Sequence, residues 1–185
     1  ELREQFKYLD YAPIVFVSAK ENKRVHLLLP LIQEVYENNR KRVATSVLND
    51  ILIDAGSRGN SADDIGNYLR SEMLDETLEY VVATHAHQDH IAGFVGTTKE
   101  PSIFEQFECE TIIDFPLTNA TSKVYKSYVE KRDAEVALGA KHFTALQCYN
   151  NESNAKRIYE LSDGIEMEIL YNYFYENKTS DENDY

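Results

Sequence analysis

Four side chains able to bind a metal ion fall within six residues in the run Thr84-His85-Ala86-His87-Gln88-Asp89-His90. Imidazole nitrogens and carboxylate oxygens suit Zn2+, Fe or Mn2+. The run directly follows Tyr80–Thr84, an apolar, β-branched stretch that reads as a strand. If the chain stays extended, His85 and His87 point to one side, because strand side chains alternate with a period of two, and can share one ion. Asp89 and His90 follow where the chain leaves the strand, and a turn there aims them at a second position. Two ions about 3.5–4 Å apart can clamp a substrate and activate a water for hydrolysis. A lone His-x-His is more often a surface feature. Here three of the chain's five histidines share one short run, which favours the metal reading. His26 and His142 have no comparable neighbours and read as structural or surface residues.

The elements that must position this run alternate between strand and helix. Pro13–Ser18 reads as a strand. Val25, Leu28, Leu29, Ile32 and Val35 lie on one helical face at steps of three and four, with Pro30 expected to kink or divide that helix. Ile51–Asp54 reads as a strand and Gly56–Gly59 as a turn. Ser61, with Asp64 three residues on, opens a helix carrying Ile65, Tyr68, Leu69 and Met73. Glu110–Phe115 and Phe143–Tyr149 read as strands. Between them a helix over 122–138 ends at Gly139, with Val124, Tyr125, Tyr128 and Val129 on its apolar face. Asp163-Gly164 joins two strand-like runs as a hairpin. Ile165, Met167, Ile169 and Tyr171 share one face of its second run. Such alternation predicts an α/β layered fold.

The chain has 185 residues, 43% hydrophobic and 28% charged, which fits a globular protein and excludes a collagen, a coiled coil or a wholly disordered chain. No run approaches the roughly 18 apolar residues of a membrane span. Two cysteines, Cys109 and Cys148, cannot build a disulfide framework and fit a cytoplasmic setting. They read as buried and unreactive. The net charge is −13, unevenly spread. Residues 1–50 carry eight basic and seven acidic side chains, and residues 51–185 carry eleven and twenty-five. The acidic part repels a polyanion at long range unless cations intervene. Asp114, at the end of a strand, is expected in solvent-facing turn chemistry.

THAHQDHIAGF resembles the signature of the metallo-β-lactamase superfamily, and ILIDAG resembles that family's preceding strand and turn. The likeness covers about residues 51–185 and is nearest to the hydrolase domains of ComEC-like proteins. It implies a partial αββα sandwich and a metal-dependent hydrolase that uses a metal-activated hydroxide. The substrate would be a small molecule or a phosphodiester. It also implies two divalent ions, zinc foremost, with one or none where the site is incomplete. Carried over, His85 and His87 bind one ion, and Asp89 and His90 the other. Asp89 is also the catalytic residue that orients the attacking hydroxide, Asp54 supports the ligands from behind, and Gly93 lets the chain turn beneath them. After Tyr171 the run NYFYENKTSDENDY holds no TGD-like carboxylate and no late histidine, and Asp163 is a poor substitute. The domain over 51–185 therefore reads as C-terminally truncated.

YLDYAPIVFVSAK, RVHLLLPLIQEVYENNRKRV and TSVLNDIL resemble a different family, the ribosome-assembly GTPase Der (EngA). This likeness covers about residues 1–54. It implies a β-α segment from the end of a GTPase domain and the start of a KH-like domain, placed over 1–50. Neither a GxxxxGK[ST] phosphate loop nor an Asn-Lys-x-Asp element is present, so no nucleotide-binding residue is expected. The Arg40–Arg42 run reads as a solvated helix end. The two families disagree at Ile51–Ala55, where one wants helix and the other strand. The expectation is a chimera. Its alternative function is a non-catalytic fragment whose GTPase-derived tail associates with ribosome or RNA.

Overall fold

In the computed structural model, which describes residues 12–40, 51–56, 61–73, 75–162 and 164–179, Pro30 is the third residue of helix α1 (Leu28–Arg40). A first-turn proline gives up an N–H that has no partner inside the helix anyway. The helix therefore runs unbroken, where a kink was expected. A 3-10 turn, Val25–Leu27, leads into it. The expected strand at Pro13–Ser18 does not form. Its one pairing is an isolated bridge between Ser18 and Lys23, and Ile14, Phe16 and Val17 are exposed. A strand needs a ladder partner, and none stands beside this run among the described residues. Leu29, Ile32, Val35 and Tyr36 of α1 are also exposed. These residues fall in the first of two compact units, Glu1–Val43 and Ala44–Tyr185. The basic run at Lys41 and Arg42 lies outside the described residues.

The second unit is built on four parallel strands in sequential order: β1 (Ile51–Ile53), β2 (Thr77–Val82), β3 (Glu108–Asp114) and β4 (Lys141–Thr144). Registers such as Leu52 with Val81, Val81 with Ile112 and Ile112 with His142 align the strands' C-terminal ends at one edge. Parallel strands need crossovers, and helices supply them. Helix α2 (Ser61–Glu72) links β1 to β2, and α3 (Gln88–Val95) with α4 (Ile103–Gln106) links β2 to β3. Helix α5 (Lys123–Leu138) links β3 to β4. Its ends are as expected: Ser122 Oγ accepts from Tyr125 N, and Gly139 at φ 125° stops it. Ile51–Ile53 is strand, which resolves the local conflict in favour of the hydrolase-like reading at that point.

Such a sheet must be covered on both faces. On one, Leu78, Val81 and Ile112 pack with Ile91, Phe94, Ile103, Phe104 and Tyr128 of the helices. Fully burying each large aliphatic or aromatic side chain contributes about 1.5–3 kcal/mol. The other face carries Tyr80, Val82 and Ile113 against α6 (Ala145–Asn150) and the hairpin of β5 (Ile158–Ser162) and β6 (Ile165–Glu168). The hairpin turns through Gly164 at φ 74°, and Glu166 and Glu168 are exposed on its wet face. Asp163 lies outside the described residues. A strand over Phe143–Tyr149 is not found. Thr144 and Gln147 form a reciprocal capping box, so the chain turns from β4 straight into α6.

Candidate metal centre

The C-terminal ends of β1 and β2 carry the candidate ligands. Strand β2 ends at Val82, so His85 and His87 sit in the loop beyond it and the expected alternation along an extended strand does not position them. Their rings nevertheless meet edge to face with centroids 4.7 Å apart. His87 is the N-cap of α3, and Asp89 and His90 lie in that helix's first turn. The helix turns His90 back toward His85, with ring centroids 3.8 Å apart. Asp89 is largely exposed, and its Oδ2 lies 3.7 Å from His90 Nε2. The helix, where a turn was expected, thus brings His90 beside His85 and leaves Asp89 largely exposed next to His90.

Asp54 organises the cluster from behind. Its Oδ1 accepts from Thr84 N at 2.8 Å, and its Oδ2 accepts from the Thr84 hydroxyl at 2.7 Å. His90 Nδ1 lies 2.7 Å from the same Oδ2. A carboxylate only accepts, so His90 Nδ1 carries a proton and donates to Asp54, which turns Nε2 toward Asp89. Thr84 has one hydroxyl proton, already directed to Asp54, so His85 Nδ1 at 3.0 Å must donate to Thr84 Oγ1. That leaves His85 Nε2 bare. Burial, and then the neighbouring His90 and His87, hold the His85 imidazole below its ordinary pKa, which keeps it neutral. A neutral imidazole whose other ring nitrogen is anchored is the state in which histidine binds a metal, and His85 meets both conditions. Thr84 was missed in the sequence, and its only signal was its place between the strand and the first histidine.

The backbone holds Asp54 in register. Asp54 has φ 54°, a left-handed conformation that Asp tolerates better than most residues. Ala55 N donates to His90 O at 2.7 Å, and Gly93 N donates to Ala55 O at 3.0 Å. Gly93 is therefore a contact point between α3 and the loop after β1, rather than a turn. A Cβ there would sit 2.9 Å from Ala55 Cβ and 3.1 Å from its carbonyl carbon.

Asp114, expected in a solvent-facing turn, is buried at 2% exposure. Its Oδ1 lies 2.8 Å from His142 Nε2, and its Oδ2 accepts from Arg132 Nη1 at 2.8 Å and from Tyr128 OH at 3.2 Å. This network ties α5 to β3 and β4 and accounts for His142. No chemical signal in the sequence paired residues so far apart along the chain.

The donor types, three imidazoles and a carboxylate from one short run, suit a divalent ion by chemistry. They are not closed around one: among the described residues, no group of three or more His, Cys, Asp or Glu side chains is arranged to hold a metal ion.

Residues 49–130 match the family model described as the metallo-beta-lactamase superfamily, a stretch that contains Asp54, His85, His87, Asp89 and His90. The parallel sheet and its covering helices are consistent with a partial metallo-beta-lactamase-like fold over this segment. A second similarity concerns proteins of a different kind. GTPase Der of Staphylococcus carnosus (strain TM300) is 49% identical over 70 residues, which is 38% of this chain and 16% of that protein. GTPase Der of Lactobacillus delbrueckii subsp. bulgaricus (strain ATCC BAA-365 / Lb-18) is 57% identical over 54 residues, 29% of this chain and 12% of that protein. GTPase Der of Macrococcus caseolyticus (strain JCSC5402) is 58% identical over 55 residues, 30% of this chain and 13% of that protein. The chain thus spans 16% or less of the length of these curated relatives. No solved structure matches it. Similarity to two unrelated families is consistent with a chimera.

Proposed function

We propose that residues 51–185 form a metal-dependent hydrolase site of metallo-β-lactamase type, most similar to ComEC-like domains. The observation that carries this reading is the cluster of the His85, His87 and His90 rings beside Asp54, within the stretch that matches the family model. His85 and His87 would hold one ion, and Asp89 with His90 would hold a second. Zinc is the first candidate. When bound, such ions supply Lewis acidity and lower the pKa of water toward ~7. The chain's own part is orientation. Asp54 fixes the proton on His90 Nδ1, Thr84 fixes it on His85 Nδ1, and Asp89 orients the attacking water as it enters. The substrate is a small ester or phosphodiester, and the setting is cytoplasmic. No helix among the described residues is long and apolar enough to cross a membrane.

The test is metal content by mass spectrometry after zinc loading and desalting, beside the His87→Ala variant. The expected result is bound metal in the parent chain and little in the variant. Equal metal in both would remove the basis for this reading.

A second reading is favoured by the identity to GTPase Der. Under it, residues 1–50 are a Der-like tail, the chain is a non-catalytic chimeric fragment, and its partner is ribosome or RNA. Co-sedimentation with ribosomes that persists in His87→Ala and is lost on deleting residues 1–43 supports it. No co-sedimentation by the whole chain counts against it.

A further inference from the structure

We propose that the cavity beside His85 receives a planar aromatic ring of the substrate, which is a small aryl or heteroaryl ester rather than a polymer. This inference rests on the hydrolase reading and names its substrate class.

The cavity has a volume of about 220 Å³ and is lined on one side by Thr84 and His85. A dry cavity of about 150 Å³ accepts benzene, so this one holds a single substituted ring. Its walls are apolar, with Ile113, Pro116, Leu117, Ala145 and Ile169. Phe174 and Tyr175, from the 3-10 turn Tyr173–Tyr175, add two rings that can pack against a third.

Its polar groups are nearly all committed. Both Asp114 oxygens are taken, one by His142 and the other by Arg132 and Tyr128. The Thr84 hydroxyl donates to Asp54. Asn172 Oδ1 accepts from Phe174 N, and no described residue takes its Nδ2. The cavity thus offers apolar walls, one amide donor, the Tyr175 hydroxyl and the His85 imidazole. A ring bearing a hydrogen-bond acceptor satisfies the donor, and a hydrolysable bond on that ring falls beside His85. A sugar or other polyol has more hydroxyls than these few groups can pair and would leave the rest unpaired against apolar walls, at about 1–3 kcal/mol for each.

Charge sets the size of the substrate. With a net charge of −13, the chain repels a polyanion over a Debye length, whereas one ester carries little charge to repel.

The probe is phenyl phosphate, with glycerol 2-phosphate as the ring-free control. Binding to the zinc-loaded chain is followed by ligand-observed NMR. Phenyl phosphate should bind at least tenfold more tightly. Ala145→Phe, which fills the cavity, should remove that preference. Leu117→Trp serves the same purpose from a loop position if Ala145→Phe does not fold. Equal affinity for the two probes would overturn the proposal, as would an undiminished preference in a folded, cavity-filled variant. Metal content separates the two readings. Ring binding without retained metal leaves the cavity assignment standing and defeats the hydrolase reading. Retained metal without ring preference defeats the cavity assignment alone.

Discussion

Gly93→Ala tests the coupling between helix α3 and the loop that carries Asp54. On an isolated helix this change stabilises by about 1 kcal/mol, because alanine loses less backbone freedom on folding. Here the new Cβ would run first into the Ala55 carbonyl oxygen, and would lie 2.9 Å from Ala55 Cβ and 3.1 Å from the carbonyl carbon, against the 3.4 Å or more of ordinary contact. Ala55 is fully buried and bonded to His90 O, so it cannot retreat without breaking that bond. Overpacking of this kind costs about 1–3 kcal/mol. Losing the Gly93 N–H to Ala55 O bond adds about 1 kcal/mol. Set against the propensity gain, the variant should be less stable by about 2 kcal/mol. For a domain of this size that lowers Tm by about 4–8 °C. The same displacement moves Asp54 away from His90 Nδ1, so zinc affinity should fall as well. Thermal melts by circular dichroism, with and without zinc, read both effects. A Tm that is unchanged or higher would show that α3 and the Asp54 loop are not locked together.

Asp114→Asn removes the charge that Arg132 and His142 share, and breaking a buried pair of this kind costs about 3–5 kcal/mol. Because Arg132 also contacts Asp133, the loss should lie near the lower end, measured by urea denaturation; a change under about 1 kcal/mol would refute the network's role. Lys131 and the Ser102 backbone N–H hold the Glu105 carboxyl down to about 2, below its ordinary 4.5. A depressed carboxyl contributes stability above its unfolded pKa and loses it as pH falls through the folded value. Tm should therefore drop between pH 4.5 and 2, and Glu105→Gln should flatten part of that slope; identical slopes would argue against the pairing. Burial pushes the Cys109 thiol up to about 12 and raises that of Cys148, and both are free and buried. A thiol reagent at pH 8 should label neither until the chain unfolds, and rapid labelling of the native chain would contradict their burial.

Much of the site was legible in the amino-acid order because its parts are close in sequence. Four candidate ligands within six residues after an apolar strand lie close together whatever the rest of the chain does. The helix over 122–138, with its Ser122 cap and Gly139 stop, and the β5–β6 hairpin through Gly164 were legible for the same reason. Local chemistry was misread where it was overlooked: the Thr144–Gln147 capping box makes α6 from a run taken as strand. Position inside a helix, and not proline alone, decides whether Pro30 bends it.

What sequence alone determined, then, is which groups could do the chemistry and which segments carry them, since strand period, caps and ligand spacing act over a few residues. Only the tertiary structure decided how those groups are oriented. Asp54 reaches His90 across 36 residues, and Asp114 gathers Tyr128, Arg132 and His142 from two later elements. These pairings follow from parallel registers and from the contact at Gly93, which depend on how buried surfaces fit together. No local pattern encodes that fit, so the proton positions on His85 and His90 and the cavity beside His85 emerge only once the sheet is assembled.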